Sequence, residues 1–171
     1  MSLFVTSATS VSGNLGGLVG ADATCQRLAA AVGQGSRTWR AYLSAERDAS
    51  TGQPVQARDR IGTGPWYNAN LVLVANNVSE LHTRTGDAAL FVDERGGRIN
   101  GQWTGSPTPN QHDILTGSNT DGTLATGLTC NDWTSDSAAV TAQVGHADGL
   151  GPNQSTAGAL ASWNAAHTAQ N

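Results

Sequence analysis

Residues 13–44, GNLGGLVGADATCQRLAAAVGQGSRTWRAYLS, constrain the fold more than any other stretch of this chain. A glycine-rich entry (Gly13, Gly16, Gly17, Gly20) leads into a segment where Ala21, Cys25, Leu28, Ala29 and Val32 recur at three- and four-residue spacing. That spacing places them on one face of a helix. Asp22 favours the helix N-terminus, where unpaired N–H groups stabilise a carboxylate, and Gly33 stands where a C-cap is wanted. Beyond the turn, Trp39, Ala41 and Leu43 alternate with Arg40, Tyr42 and Ser44, the period of a strand. The pattern predicts a helix that feeds a strand, with Cys25 on the buried helical face.

The 171 residues suit one domain, read here as spanning positions 1–171. Leu, Ile, Val and Phe supply only 30 of them, a fraction low enough to raise the question of disorder. A net charge of −4 is too small for a typical disordered chain, and five Trp argue for a packed core, because each buries a large area. The reading is a folded, loop-rich domain. Its acidic balance, with all nine basic residues being dispersed Arg, speaks against nucleic acid or an anionic membrane as partner. Residues 71–75 form the longest aliphatic run, far too short to span a bilayer, so no membrane insertion is expected. Residues 1–6 lack both the charged and the long apolar part of a signal peptide.

Along the chain, residues 3–7 read as a short strand, and Trp66-Tyr67 belongs to a loop and short strand. Leu71, Val74, Val78 and Leu81 have helical spacing, so residues 70–82 suit a second helix; the aliphatic run 71–74 suits a strand equally well. Residues 88–101 read as a hairpin turning at Gly96-Gly97, and residues 114–123 hold a turn. Residues 128–133 look like a strand bearing Cys130. The Ala-, Gly- and Ser-rich remainder, 135–171, offers one short helix at 159–167. There is no internal repeat and no linker composition.

Gly20-Ala21-Asp22-x-x-Cys25, Ala31-Val32-Gly33 and Thr38-Trp39-Arg40-Ala41-Tyr42-Leu43-Ser44 together resemble the first helix and strand of endostatin, the C-terminal module of certain basement-membrane collagens. The resemblance continues in order through Ala57-Arg58-Asp59-Arg60, the hairpin near Phe91 and Gly97, Trp103, Gly117-Ser118 with Gly122, and Cys130-x-x-Trp133. It implies an α+β, C-type-lectin-like fold: two helices flanking a twisted, mostly antiparallel sheet with long loops. A bacterial secreted relative of the module is the form suspected. In the family, two disulfides close the fold. Cys25 and Cys130 resemble the first and second of those four cysteines, which belong to different bridges, and their partners are absent. The resemblance therefore implies a chain stopping before its final strand; a bond between Cys25 and Cys130 is the alternative. The family's N-terminal zinc histidines have no counterpart, since residues 1–24 contain no His, and heparin binding does not carry over to an acidic chain without Lys.

The remaining motifs read as ordinary structure. His82, His112, His146 and His167 show no metal-ligand spacing and are expected to be scattered structural or surface residues, with no metal bound. Asn119-x-Asp121-Gly122 resembles part of a calcium loop, but Gly117 and Leu128 fall where the EF-hand template needs ligands; a turn held by side-chain hydrogen bonds is expected instead. Oxygen-rich loops between Asp113 and Asp148 leave calcium as a minor alternative to no cofactor at all. The pair His146-x-Asp148 invites a catalytic reading, yet no nucleophile motif accompanies it, and no enzyme is expected. Trp66-Tyr67, Trp103 and Trp163 lie in irregular stretches where an exposed aromatic suits sugar stacking, although core packing is favoured for the tryptophans as a group.

These observations point to a secreted, periplasmic or cell-surface binding or adhesion module for a glycan or an extracellular protein. A structural protein-contact domain is the alternative. The residues nominated for ligand binding are Asn119, Asp121, Trp133, Asp148 and Trp163.

Overall fold

The computed structural model describes residues 1–170. Its first element is the expected helix, Gly17–Ala31 (α1), which buries Leu18, Ala21, Leu28 and Ala29. Gly33 leaves it at φ 76°, the left-handed conformation that ends helices and that glycine adopts without a Cβ clash. Asp22 has a different task from the capping predicted for it. Its carboxylate accepts the Ala41 N–H at 2.8 Å and pairs with Arg60 at 2.8 Å, so it fastens the helix to the extended segment that follows. In that segment Trp39, Ala41 and Leu43 are buried in the predicted alternation, although it joins neither sheet.

Residues 70–82, which the sequence leaves open between strand and helix, are both in succession. Trp66–Tyr67 (β1) pairs antiparallel with Leu73–Ala75 (β2), and Val78–Thr83 (α2) follows at once, with Asn77 as N-cap accepting the Glu80 N–H. The expected first strand is reduced to a single parallel bridge from Val5 to Asp93, and the 88–101 hairpin to a bridge between Val92 and Arg98. A second antiparallel sheet, in the order β3-β4-β5, consists of Asp113–Leu115 (β3), Thr141–His146 (β4) and His167–Gln170 (β5). The chain is thus a small mixed α and β domain whose described residues form three helices and two small antiparallel sheets.

Two expectations are corrected. Residues 159–167 form no α-helix; a 3-10 turn, Gly158–Ala161, gives way to extended chain. The reason is close packing. A Cβ on Gly145 would lie 1.9 Å from the Trp163 carbonyl oxygen, so the segment at 163–164 rests directly on the β4 backbone. Nor is 128–133 a strand. Cys130–Trp133 (α3) is a left-handed turn, with φ of 47°, 54°, 56° and 64°. Each such residue costs roughly 1–2 kcal/mol. Tertiary bonds offset this: Trp133 is fully buried and donates Nε1–H to the Ser44 carbonyl at 2.7 Å, while the Asp132 carboxylate accepts the Glu46 N–H.

Cys25 and Cys130 meet in one apolar cluster with Leu18, Leu43 and Trp133 and are not bonded to each other, so the alternative of a bridge between them is not formed. Burial pushes the Cys25 thiol up to about 11 and raises that of Cys130. Neither is a thiolate nucleophile near neutral pH.

A second cluster gathers Trp66, Val74, Leu81, Phe91 and Trp163. At its edge His82 donates Nδ1–H to the Val78 carbonyl, which leaves Nε2 to accept the Tyr42 hydroxyl at 2.6 Å. Burial pushes the His82 pKa below its ordinary 6.5. A histidine depressed in the fold is protonated more readily when unfolded, so its contribution is complete above 6.5 and is lost as pH falls from there through its lower folded value. Urea midpoints at about pH 7.5 and about pH 5.5 should show this loss, and His82→Gln should make the decline shallower. An unchanged slope in the variant would assign the decline to other groups.

Candidate functional site

The second sheet brings three histidines onto one aspartate. Asp113 and His146 are cross-strand partners in the β3–β4 ladder, and His112 precedes Asp113. His167 opens β5 opposite Val144, two residues before His146, and residues that far apart in a strand share a face. The Nε2 atoms of His112, His146 and His167 lie 3.4, 3.6 and 3.7 Å from one oxygen, Asp113 Oδ1. The His112 and His146 rings stack at 4.3 Å, with His167 edge-on to His146 at 4.9 Å. The expectation of scattered histidines is therefore corrected: three of the four form one cluster.

Each ring is oriented from behind. His112 Nδ1 donates to Asp148 Oδ1 at 2.7 Å, His146 Nδ1 to the Leu160 carbonyl at 2.8 Å, and His167 Nδ1 to the Thr168 carbonyl at 3.0 Å. Carbonyls only accept, so these bonds place the proton on Nδ1 and leave Nε2 as a bare lone pair in the neutral ring. Burial pushes the His146 pKa down, which favours that neutral form. For Asp148, burial opposes ionisation, but hydrogen bonds from His112 and from the Gln102 and Leu150 N–H groups outweigh it and hold the carboxyl below the usual range. A large groove of about 1,420 Å³ beside the N-terminal segment reaches all four clustered side chains.

Behind Asp148 lies a separate cleft of about 430 Å³. Its walls carry Arg98, Trp103, Asp87, Thr85 and Thr156. The Arg98 guanidinium sits 5.3 Å over the half-buried Trp103 ring and has no carboxylate partner among the described residues. Trp103 donates Nε1–H to the Ile99 carbonyl at 2.9 Å, which holds the ring edge in the cleft wall.

Over residues 8–150 the chain matches the family model described as protein of unknown function (DUF1554). It belongs to the DUF1554 family. No curated protein matches it. Within this DUF1554 chain the matched span contains His112, Asp113, His146 and Asp148, together with Arg98 and Trp103, and ends before Leu160 and His167.

Of the residues nominated from sequence, the DUF1554 structure brings only Asp148 to the histidine cluster and the smaller cleft, while Trp163 borders the large groove. Asp148 bonds His112, not the neighbouring His146 that suggested its importance. Asn119 and Asp121 build a turn: the Asn119 amide donates to the Leu124 carbonyl at 3.0 Å, and Asp121 accepts the Thr123 hydroxyl at 2.6 Å. Trp133 and Trp163 are core residues, the second stacked on Phe91 and bonded through Nε1–H to the Leu81 carbonyl. Sequence reasoning missed Asp113, His112, His146 and His167 as a set, because strand pairing creates their proximity. The one local signal was the adjacent His112-Asp113 pair. No helix among the described residues is long and apolar enough to cross a membrane.

Proposed function

We propose that this domain is a non-catalytic binding module, secreted or displayed at a cell surface, whose ligand is an acidic saccharide. The observation that carries this reading is the Arg98 guanidinium, which has no carboxylate partner among the described residues and lies over Trp103 in the 430 Å³ cleft. A guanidinium fork binds a carboxylate bidentately, and an indole face packs against the C–H face of a sugar ring. The Thr85 and Thr156 hydroxyls make no hydrogen bond among the described residues, and the exposed Asp87 carboxylate supplies an acceptor for sugar hydroxyls. The cleft's size falls in the range of small-ligand sites. The resemblance to endostatin supports the same reading at the level of fold, a C-type-lectin-like scaffold whose long loops carry ligands, and it is an argument by analogy.

Tetrasaccharides ending in glucuronic or galacturonic acid, compared with their neutral hexose counterparts by calorimetry, test the proposal. The acidic probes should bind and the neutral ones should bind about tenfold more weakly or not at all. Arg98→Ala, at an exposed position, should lower the acidic affinity by about tenfold or more without changing the thermal midpoint. Equal binding of acidic and neutral sugars, or full affinity in Arg98→Ala, would overturn it. A protein-contact role is the second reading, favoured by the exposure of Tyr67, Leu71 and Val72 around the β1–β2 turn.

A further inference from the structure

We infer that His112, His146, His167 and Asp113 form a binding site for one zinc-class divalent ion. The inference goes beyond the saccharide reading and stands without it. It rests first on distance. Zinc bonds of about 2.0–2.1 Å to nitrogen and oxygen put tetrahedral ligands about 3.3–3.4 Å apart. The three separations from Asp113 Oδ1, at 3.4, 3.6 and 3.7 Å, are close to that edge. Donors of His112, Asp113 and His146 also lie within 4.8 Å of one another and form the compact part of the site, which His167 joins through Asp113 Oδ1.

The second support is orientation. Ligating histidines characteristically donate their other ring N–H to a carboxylate or backbone carbonyl, which fixes the tautomer and raises ligand basicity. All three histidines do so here, through Asp148, Leu160 and Thr168. A chance cluster of surface histidines has no reason to point three bare Nε2 atoms at one carboxylate oxygen.

The donor set selects the metal. Three imidazoles and one carboxylate suit zinc, whereas calcium takes six to eight oxygens and magnesium an octahedron of oxygens. Four protein donors fill a tetrahedron, as in structural zinc sites, and leave no vacant position for a reacting water. Access is provided by partial exposure: the Asp113 side chain is 46% and the His167 side chain 40% accessible, while His112 and His146 are buried. The ion would therefore join three strands, β3 through Asp113, β4 through His146 and β5 through His167.

Titration of metal-free protein with cobalt(II), followed by displacement with zinc, tests the site. One equivalent should develop the intense visible absorption of tetrahedral cobalt, and zinc should abolish it at the same stoichiometry. His167→Ala and Asp113→Asn change accessible side chains and are expected to fold; each should weaken zinc binding by about 100-fold or more. Asp148→Asn, which reaches the ion through His112 and is not itself a ligand, should weaken it by about 10- to 100-fold. In wild-type protein the zinc-induced change in the histidine ¹⁵N NMR spectrum should fall on Nε2 of three residues and leave His82 unmoved. Absence of tetrahedral cobalt absorption in folded protein, or zinc affinity unchanged in both His167→Ala and Asp113→Asn, would overturn the inference.

Discussion

Zinc added to metal-free protein is expected to raise its melting temperature by about 8–16 °C when free metal exceeds the dissociation constant about 1,000-fold. The estimate follows from mass action. An ion that binds only the native state contributes about 4 kcal/mol at that excess, and each kcal/mol moves a domain of 150–250 residues by about 2–4 °C. The premise of native-only binding is well met here, because the donors come from three separate strands and no two ligating histidines have a motif spacing. An unfolded chain cannot assemble them. Calcium at the same excess should leave the midpoint in place, and His167→Ala should remove the zinc effect. Differential scanning calorimetry in the presence of chelator, zinc or calcium makes the comparison. A shift of equal size in His167→Ala would place the stabilising ion elsewhere.

Gly145→Ala is expected to destabilise the domain by about 3 kcal/mol or more, the upper part of the range for overpacking. The new Cβ would meet the Trp163 carbonyl oxygen at 1.9 Å, its carbon at 2.1 Å and the Asn164 nitrogen at 2.3 Å. All three are backbone atoms, so no rotamer change relieves the contact. Either β4 bends or the segment at 163–164 lifts, and that segment carries two anchored residues. Trp163 fills the second core cluster, and the Asn164 amide donates to the Asn119 carbonyl at 3.0 Å and to the Tyr42 hydroxyl at 3.1 Å. The same displacement acts on His146, whose N–H bonds the Ser162 carbonyl at 2.9 Å. Urea denaturation should therefore show a lowered midpoint, and any folded remainder should bind zinc more weakly. A midpoint within error of wild type would mean that the strand and the crossing segment are farther apart than this packing requires.

What the sequence made legible follows the range of the forces involved. Helix α1 announced itself through the spacing of Leu28, Ala29 and Val32 and through Gly33, because capping and amphipathic burial act within a few residues. The inward alternation of Trp39, Ala41 and Leu43 was equally readable, even though that segment pairs in no ladder. Strand β4 was opaque for the opposite reason. Its sequence, Thr-Ala-Gln-Val-Gly-His, carries few β-branched residues, since small ones are needed where residues 163–164 cross. The left-handed turn at Cys130–Trp133 opposes local preference; beside its own bonds to Thr129 it is held by Ser44, Glu46 and Leu15, which lie far away in the chain. The histidine cluster depends on the same long-range pairing. Its members become neighbours once β3, β4 and β5 are in register, and register was absent from any local pattern.

Asp148 has a consequence for how such a chain can vary over descent. One of its oxygens receives His112 and the Leu150 N–H, and the other receives the Gln102 N–H, so the carboxylate serves the histidine cluster and the loops bordering the cleft together. A lineage that gave up His112 would still need the aspartate to hold Gln102 and Leu150. A lineage that remodelled those loops would still need it behind the histidine. Neither loss alone frees the position to drift, and a change at 148 becomes neutral only after both have occurred.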